Sequence, residues 1–263
     1  MSMPFSALTA SFKANSLLKL QAAPATPDFA HIGPFGQGAS AVPSVGELEA
    51  SNAAFLRHYN AKVESYKVEL SILGQMRQRI DEVGASADAL NAAAGSGNMQ
   101  EAKKALQQFV ALYNAWDADF DEHFEKGALL EENQAAGYAR FALQREVGSL
   151  FHGAGNGGVA QGLRDIGVGV GPSGQLSFDE AVFDAVTTRQ PGEVLQTLLN
   201  MTEKVAETAA MINAPGHLMG NRLGRLNDAV VWAAGYQPAL EAEFGPGAAT
   251  KQALTAYKVA SSF

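Results

Sequence analysis

The side chains best suited to catalysis or metal binding are scattered along this chain. Its histidines stand far apart in the sequence, at His31, His58, His123, His152 and His217. No two of them have the spacing that would place both on one helical face for zinc binding. The chain also has no cysteine, which excludes disulfides, thiolate nucleophiles and metal centres with cysteine ligands.

The densest group of carboxylates surrounds His123. Its members are Asp117, Asp119, Asp121, Glu122 and Glu125. A calcium-binding loop would need alternating oxygen ligands, a glycine turn and a terminal glutamate, and this segment has no such glycine turn. Because the surrounding pattern is helical, we expect these acids to form one solvated helix face.

A glycine-rich segment follows His152, with the sequence GAGNGG at 153–158. A phosphate-binding loop requires a strand before the glycines and a helix directly after them. The residues before this segment are helical in pattern, and no Gly-Lys-Ser/Thr follows. No Gly-x-Ser-x-Gly elbow is present either. We therefore predict that the protein is not an enzyme and that it has neither a cofactor nor a metal site.

Composition excludes further classes of function. There are 19 Lys+Arg against 27 Asp+Glu, and the formal net charge is −8. Nucleic-acid binding needs concentrated positive charge to displace phosphate counterions, so we expect no nucleic-acid partner. No apolar run approaches the roughly 20 residues of a membrane span, and the N-terminus lacks the apolar core of a cleaved signal peptide. We expect no membrane insertion and no cleaved signal.

The elements that would position these side chains fall into four segments. Residues 1–46 combine prolines and glycines with few charges and are predicted to be a flexible or disordered N-terminal arm. Residues 47–152 contain no proline and are predicted to be a long helical region. Residues 153–200 are predicted to hold a Gly-rich hinge, a β-hairpin and short helices, and residues 201–263 the C-terminal helices.

Apolar residues recur at intervals of three and four over about ten turns, from residue 55 to residue 90. The members of this seam that we take as candidate assembly residues are Phe55, Tyr59, Tyr66, Leu70, Leu73 and Ile80. Two alternatives stay open: the seam is the core stripe of a helical bundle, or part of it packs against other chains. Gly74 and Gly84 predict a bend or break in the helix.

The rest of the chain predicts shorter elements. Helices are expected at 99–124 and 129–151 with a loop at 91–98, and later at 203–212, 218–234, 239–244 and 249–260. Strands are expected in LRDIGVGV and QLSF, on either side of a GPSG turn. SFDE at 177–180 predicts a capping box that opens a helix at Asp179, and Pro191 lies in the first turn of another helix. The predicted fold is mainly α, an elongated helical bundle or coiled-coil-like leg with a small β-hairpin near residues 163–178.

Three segments in order resemble one known family. They are LSILGQMRQRIDE at 70–82, FVALYNAW at 109–116, and LRDIGVGVGPSGQLSFDEAVFDAVTTRQPGEVLQTLL at 163–199. Together they are similar to the flagellar hook-associated protein 2 family, the filament cap proteins. The positions that carry the match are Phe109, Val110, Tyr113, Asn114, Leu163, Ile166, Gly167, Val168, Gly174, Leu176, Phe178, Asp179, Glu180, Pro191 and Val194.

The resemblance implies a structural, oligomerising protein in a reduced form that lacks the variable central domains of the family. It implies assembly with itself and with other flagellar axial proteins, and an export chaperone as a further candidate partner. The expected location is the bacterial flagellum outside the cell, reached without a cleaved signal peptide. The alternative hypothesis is a cytoplasmic helical binding module, such as an export partner or a repurposed paralogue, with no capping role.

Overall fold

The computed structural model describes residues 44–149 and 157–261. Seven α-helices lie in these residues: α1 (Val45–Gly95), α2 (Met99–Phe120), α3 (Gln134–Val147), α4 (Glu180–Arg189), α5 (Pro191–Asn213), α6 (Leu218–Phe244) and α7 (Ala248–Ala260). Two strands, β1 (Val168–Val170) and β2 (Leu176–Phe178), pair in an antiparallel hairpin. The prediction of a mainly α fold with a small β-hairpin is confirmed.

The apolar seam forms one uninterrupted helix of 51 residues, which is about 77 Å long at 1.5 Å per residue. Of the predicted bend or break at Gly74 and Gly84, a break is wrong, because the helix continues through both residues. A Cβ at position 84 would lie 3.0 Å from the Cβ of Ala209 on α5. Gly84 therefore lets two helices approach closely, and that packing stabilises the helix through a residue of low helix propensity.

Several helix boundaries differ from the predicted ones because local capping decides them. The expected loop at 91–98 is mostly helix, since α1 continues to Gly95 and the side chain of Asn98 caps α2. α2 ends at Phe120, and a 3₁₀ turn covers Asp121–Phe124. The helix expected at 129–151 is shorter in the structure because Asn133 caps α3 at its start.

The core lies around the C-terminal half of α1, which packs against α2, α5 and α6. Fully buried side chains meet here from four helices, and the largest include Leu73, Met76, Ile80, Leu90, Leu106, Phe109, Tyr113, Trp116 and Leu143. The N-terminal half of α1 is covered less completely, by α6 and α7. One helix thus extends from a closely packed core into a thinner region at its N-terminal end, where fewer helices cover it.

The hairpin is shorter than the alternating sequence pattern suggested. Residues Gly162–Ile166 form a 3₁₀ turn, and the strands pair over only three residues each. The predicted capping box is also wrong in detail. The Asp179 side chain, rather than that of Ser177, accepts hydrogen bonds from the backbone N–H groups of Ala181 and Val182. Asp179 is therefore the N-cap itself, and Glu180 is the first residue of α4.

The C-terminal helices are longer than predicted. α5 begins with Pro191 at its first turn, as expected, but runs to Asn213 and so crosses the predicted segment boundary at 200. α6 continues through Pro238, where two separate helices were predicted. A proline removes the hydrogen bond to the carbonyl four residues earlier. That carbonyl belongs to Ala234, which is exposed, so water can take the place of the missing donor.

The predicted N-terminal arm lies almost wholly outside the described residues. Of 1–46, only Ser44, Val45 and Gly46 are described, and the last two already belong to α1. The glycine-rich segment at 153–158 and His152 also fall outside the described residues, except Gly157 and Gly158.

Candidate functional site

The residues of the FVALYNAW segment and those of the hairpin are brought together. The Asn114 side chain donates to the backbone carbonyl of Leu176 and accepts from the backbone N–H of the same residue, both at 2.8 Å. Phe109, Tyr113 and Ile166, from the same motif segments, are buried in the core. The motif positions therefore form one packed unit in which α2 holds the hairpin.

Two glycines of the motif have conformations that this unit requires. Gly167 has a φ of +84°, and a Cβ there would lie 2.5 Å from the backbone oxygen of Asp179. Gly174 has a φ of +90°, and a Cβ would lie 3.2 Å from the amide nitrogen of Gln144. Both are positions where only glycine combines the left-handed backbone with the available space. Their role in the structure is to shape the turns that enter and close the hairpin.

The acidic group around His123 does not form one solvated face, so that prediction is wrong for Asp117. Asp117 is buried and accepts a hydrogen bond of 2.8 Å from the side-chain amide of Gln144 on α3. Arg140 of α3 lies between Asp117 and Asp121 and pairs with both carboxylates. Burial, and then the nearby Asp117 charge, raise the pKa of the Tyr113 hydroxyl. This arrangement fixes α3 to α2.

The remaining acids of the group are exposed and paired or solvated. Asp119 forms an ion pair of 2.9 Å with Arg79 of α1, and Glu122 lies 3.9 Å from the Nε2 atom of His123. Within residues 44–149 and 157–261, no three metal-binding side chains come close enough together to hold an ion.

A groove of about 500 Å³ lies between α1 and α6. Its walls carry Asn60 and Val63 from α1 and Val230 and Ala233 from α6. Its charged wall residues, Glu64 and Lys67, bond to each other at 2.7 Å on the exposed surface of α1. The groove therefore presents a mixture of small apolar groups and an exposed ion pair.

The candidate seam residues divide into two environments. Leu73 and Ile80 are fully buried in the core, whereas Phe55, Tyr59, Tyr66 and Leu70 are only partly buried. The Phe55 ring contacts the Phe244 ring of α6 at a centroid distance of 4.8 Å. The C-terminal half of the seam is thus bundle core, and the N-terminal half packs in the thinner region beside α6.

The outer face of α6 carries exposed apolar residues. Residues 229–240 contain no charged residue, although only one side of the helix faces α1. On the other side Val231 is 62% exposed and Trp232 is 39% exposed. The small residues Gly235, Pro238, Ala239 and Ala242 are exposed as well. A helix that is apolar on all sides is normally buried on all sides.

A second exposed apolar surface lies on α7. Its first residues, Ala248 and Ala249, are buried, but every residue from 250 to 259 is exposed. Leu254 is 56% exposed and Tyr257 is 71% exposed. Within the described residues the helix is therefore attached mainly through its first turn, with one further hydrogen bond from the Gln252 side chain to the Glu243 carbonyl at 3.3 Å.

Glu49 of α1 holds that first turn. The helix N-cap is Gly247, which has no side chain to accept from the free backbone N–H groups. The Glu49 carboxylate accepts instead from the N–H of Gly247 at 3.1 Å and from the N–H and hydroxyl of Thr250 at 3.2 Å. A carboxylate at a helix N-terminus is also favoured by the helix dipole.

Acid should weaken the attachment of α7. The hydrogen bonds from Thr250 and then Gly247 lower the pKa of Glu49 below its ordinary value of 4.5. A lowered folded-state pKa contributes stability above the unfolded pKa, and this contribution is lost as pH falls through the folded pKa. We expect amide hydrogen exchange at Thr250 and the following residues to rise, relative to α2, as pH falls below about 4.5. In Glu49→Gln this extra pH dependence should disappear; an unchanged profile would contradict the role of Glu49.

Sequence reasoning missed Glu49, Trp232 and Tyr257. The sequence did contain a signal for Glu49, because the segment Gly245-Pro246-Gly247 offers no Ser, Thr, Asp or Asn to cap the following helix. It also contained a signal for Trp232, which lies in the uncharged run at 229–240. The burial of Glu69 had no such signal, since its partner Arg222 is 153 residues away.

None of the helices in the described ranges is long and apolar enough to cross a membrane. Comparisons of the chain with family models, with curated proteins and with solved structures found no match.

Proposed function

We propose that this protein is a structural protein, not an enzyme, that acts by assembling with other protein chains at the end of a flagellar hook or filament. In this function it assists filament assembly or caps that end. Its partners are copies of itself and other flagellar axial proteins. The site of action is outside the cell.

The observation that carries the assembly function is the exposed apolar surface of α6 and α7. In the described part of the chain, apolar side chains on these two helices are exposed, among them Val231, Trp232, Leu254 and Tyr257. Tryptophan and tyrosine are enriched at the centres of protein–protein interfaces. A surface of this kind supports protein binding rather than catalysis.

The flagellar part of the proposal rests on the resemblance in the three motif segments. In support of it, Asn114 and Leu176 form one contact between a helix and a hairpin, and Phe109 and Tyr113 of the same helix are buried. A shared structural contact gives a physical reason for these residue types to occur together. The assignment to a hook or filament end follows from the resemblance alone.

Localisation tests this proposal. An epitope-tagged full-length chain would be expressed in cells of the source organism with intact flagella and in a strain whose flagellar export apparatus is inactive. We expect the protein in the sheared flagellar or secreted fraction of the first strain and only in the cell fraction of the second. A protein confined to the cytoplasm of the first strain would overturn the proposal and favour the cytoplasmic binding module.

A further inference from the structure

We propose that α7 of one copy of this chain packs on the outer face of α6 in a second copy, and that the second copy returns the same contact. This inference rests on the proposed function, because it requires that the chain acts by assembling with other chains. It goes further in naming the two surfaces that meet and the partner, which is a second copy. Because both surfaces of both copies are used, the contact forms a closed, symmetric dimer.

The two surfaces match in length and shape. The exposed apolar and small residues on the outer face of α6 run from Val231 to Ala242, about 18 Å, and the 13 residues of α7 span about 20 Å. Gly235, Ala239 and Ala242 on α6 are small and exposed, so a second helix could approach closely. Trp232 and Tyr257 provide the aromatic side chains that such contacts place at their centre.

Their charges are also complementary. α7 carries Lys251 and Lys258 and has no acidic residue. Residues 226–244 of α6 carry Asp228, Glu241 and Glu243 and have no basic residue. A cationic helix laid on a face bordered by carboxylates gains favourable electrostatic complementarity at the rim of the contact. Two copies of α7 side by side would instead place like charges together.

The helix itself needs a partner. Isolated helices shorter than about 12–15 residues are marginal in water, and α7 has 13 residues of which 250–259 are all exposed. Its own α6 contacts α7 near the turn that joins them, where Gln252 donates to the Glu243 carbonyl at 3.3 Å, and leaves residues 250–259 exposed. Both halves of the contact are present in every copy, so a twofold arrangement covers both at once.

The absence of cysteine from the chain allows a direct test by crosslinking. Full-length Ala239→Cys and Ala253→Cys proteins would be purified separately, mixed in equal amounts and treated with a flexible bis-maleimide reagent. We expect a crosslinked heterodimer between positions 239 and 253. A control mixture pairs Ala253→Cys with Ser71→Cys, an exposed position on α1, and should give at least fivefold less product.

Size-exclusion chromatography with light scattering gives the second readout. The wild-type chain should associate at micromolar concentration, and Trp232→Glu and Tyr257→Glu should each raise the dissociation constant at least tenfold. Thermal unfolding of each diluted variant verifies that it folds. Val68→Glu, at a 51% exposed position on α1, is the matched control and should associate like the wild type.

The outcomes separate this inference from the proposed function. A wild-type chain that is monomeric at all concentrations overturns the inference, even if the protein is found on the flagellum. A wild-type oligomer that is unaffected by both Glu variants also overturns it and leaves assembly through another surface. Loss of association in both variants, with the 239–253 crosslink, supports it whatever the cellular location.

Discussion

Replacing Leu73 by alanine should lower the free energy of unfolding by about 3–5 kcal/mol. Leu73 is fully buried where α1 crosses the core, and truncation removes both the burial of three carbon atoms and their contacts in a closely packed interior. Replacement by aspartate should have a larger effect, because it adds an unpaired buried charge. Urea unfolding followed by far-UV circular dichroism measures both effects.

The matched control for Leu73 is the same change at Leu112. Leu112 is 36% exposed on α2, so Leu112→Ala should cost less than about 1 kcal/mol. Equal losses at the two positions would mean that Leu73 does not lie in the core. The unfolding measurements would use dilute protein, so that changes in self-association do not contribute.

Replacing Arg222 by methionine should lower the free energy of unfolding by about 2–3 kcal/mol. Arg222 of α6 forms two hydrogen bonds of 2.6 Å to the Glu69 carboxylate on α1, and Asn133 at the start of α3 donates to the same carboxylate at 2.7 Å. Glu69 is only 5% exposed, so removing the arginine leaves a buried charge with one neutral donor. The Arg222 side chain is itself 41% exposed, which places the expected loss below that of a fully buried pair.

Two further variants show that this effect comes from the unpaired carboxylate. Arg225→Met changes an exposed arginine on the same helix and should shift stability by about 0.5 kcal/mol or less. The double variant with Glu69→Leu and Arg222→Met removes both charges and should recover most of the stability lost in Arg222→Met. A double variant as unstable as the single one would instead indicate that packing of the arginine stem causes the loss.

The helical architecture could be predicted because its signals are local. The spacing of Leu73, Ile80 and Leu90 predicts a helix with one buried face, and the structure buries all three. The same local reasoning failed at Gly74, Gly84 and Pro238, where it predicted interruptions. At Gly84, packing against α5 outweighs the low helix propensity of glycine. At Pro238, access of water to the freed carbonyl outweighs the low helix propensity of proline.

The sites were harder to predict because they depend on contacts between distant parts of the chain. Asp117 has the sequence context of a surface acid, yet Gln144 and Arg140 of α3 make its burial possible. Glu69 lies within an apolar seam and is stabilised by Arg222, which is 153 positions away. For the hairpin, the motif singled out Asn114, but only the fold supplies its partner, the backbone of Leu176.

The contact between Asn114 and Leu176 has a consequence for solubility. A two-stranded ribbon has two open edges, and each presents free N–H and C=O groups that can pair with a strand from another molecule. The side-chain amide of Asn114 occupies both groups of Leu176, as a neighbouring peptide would. One residue on a helix thus closes part of the outer edge of β2 and blocks the addition of a strand from another molecule at Leu176.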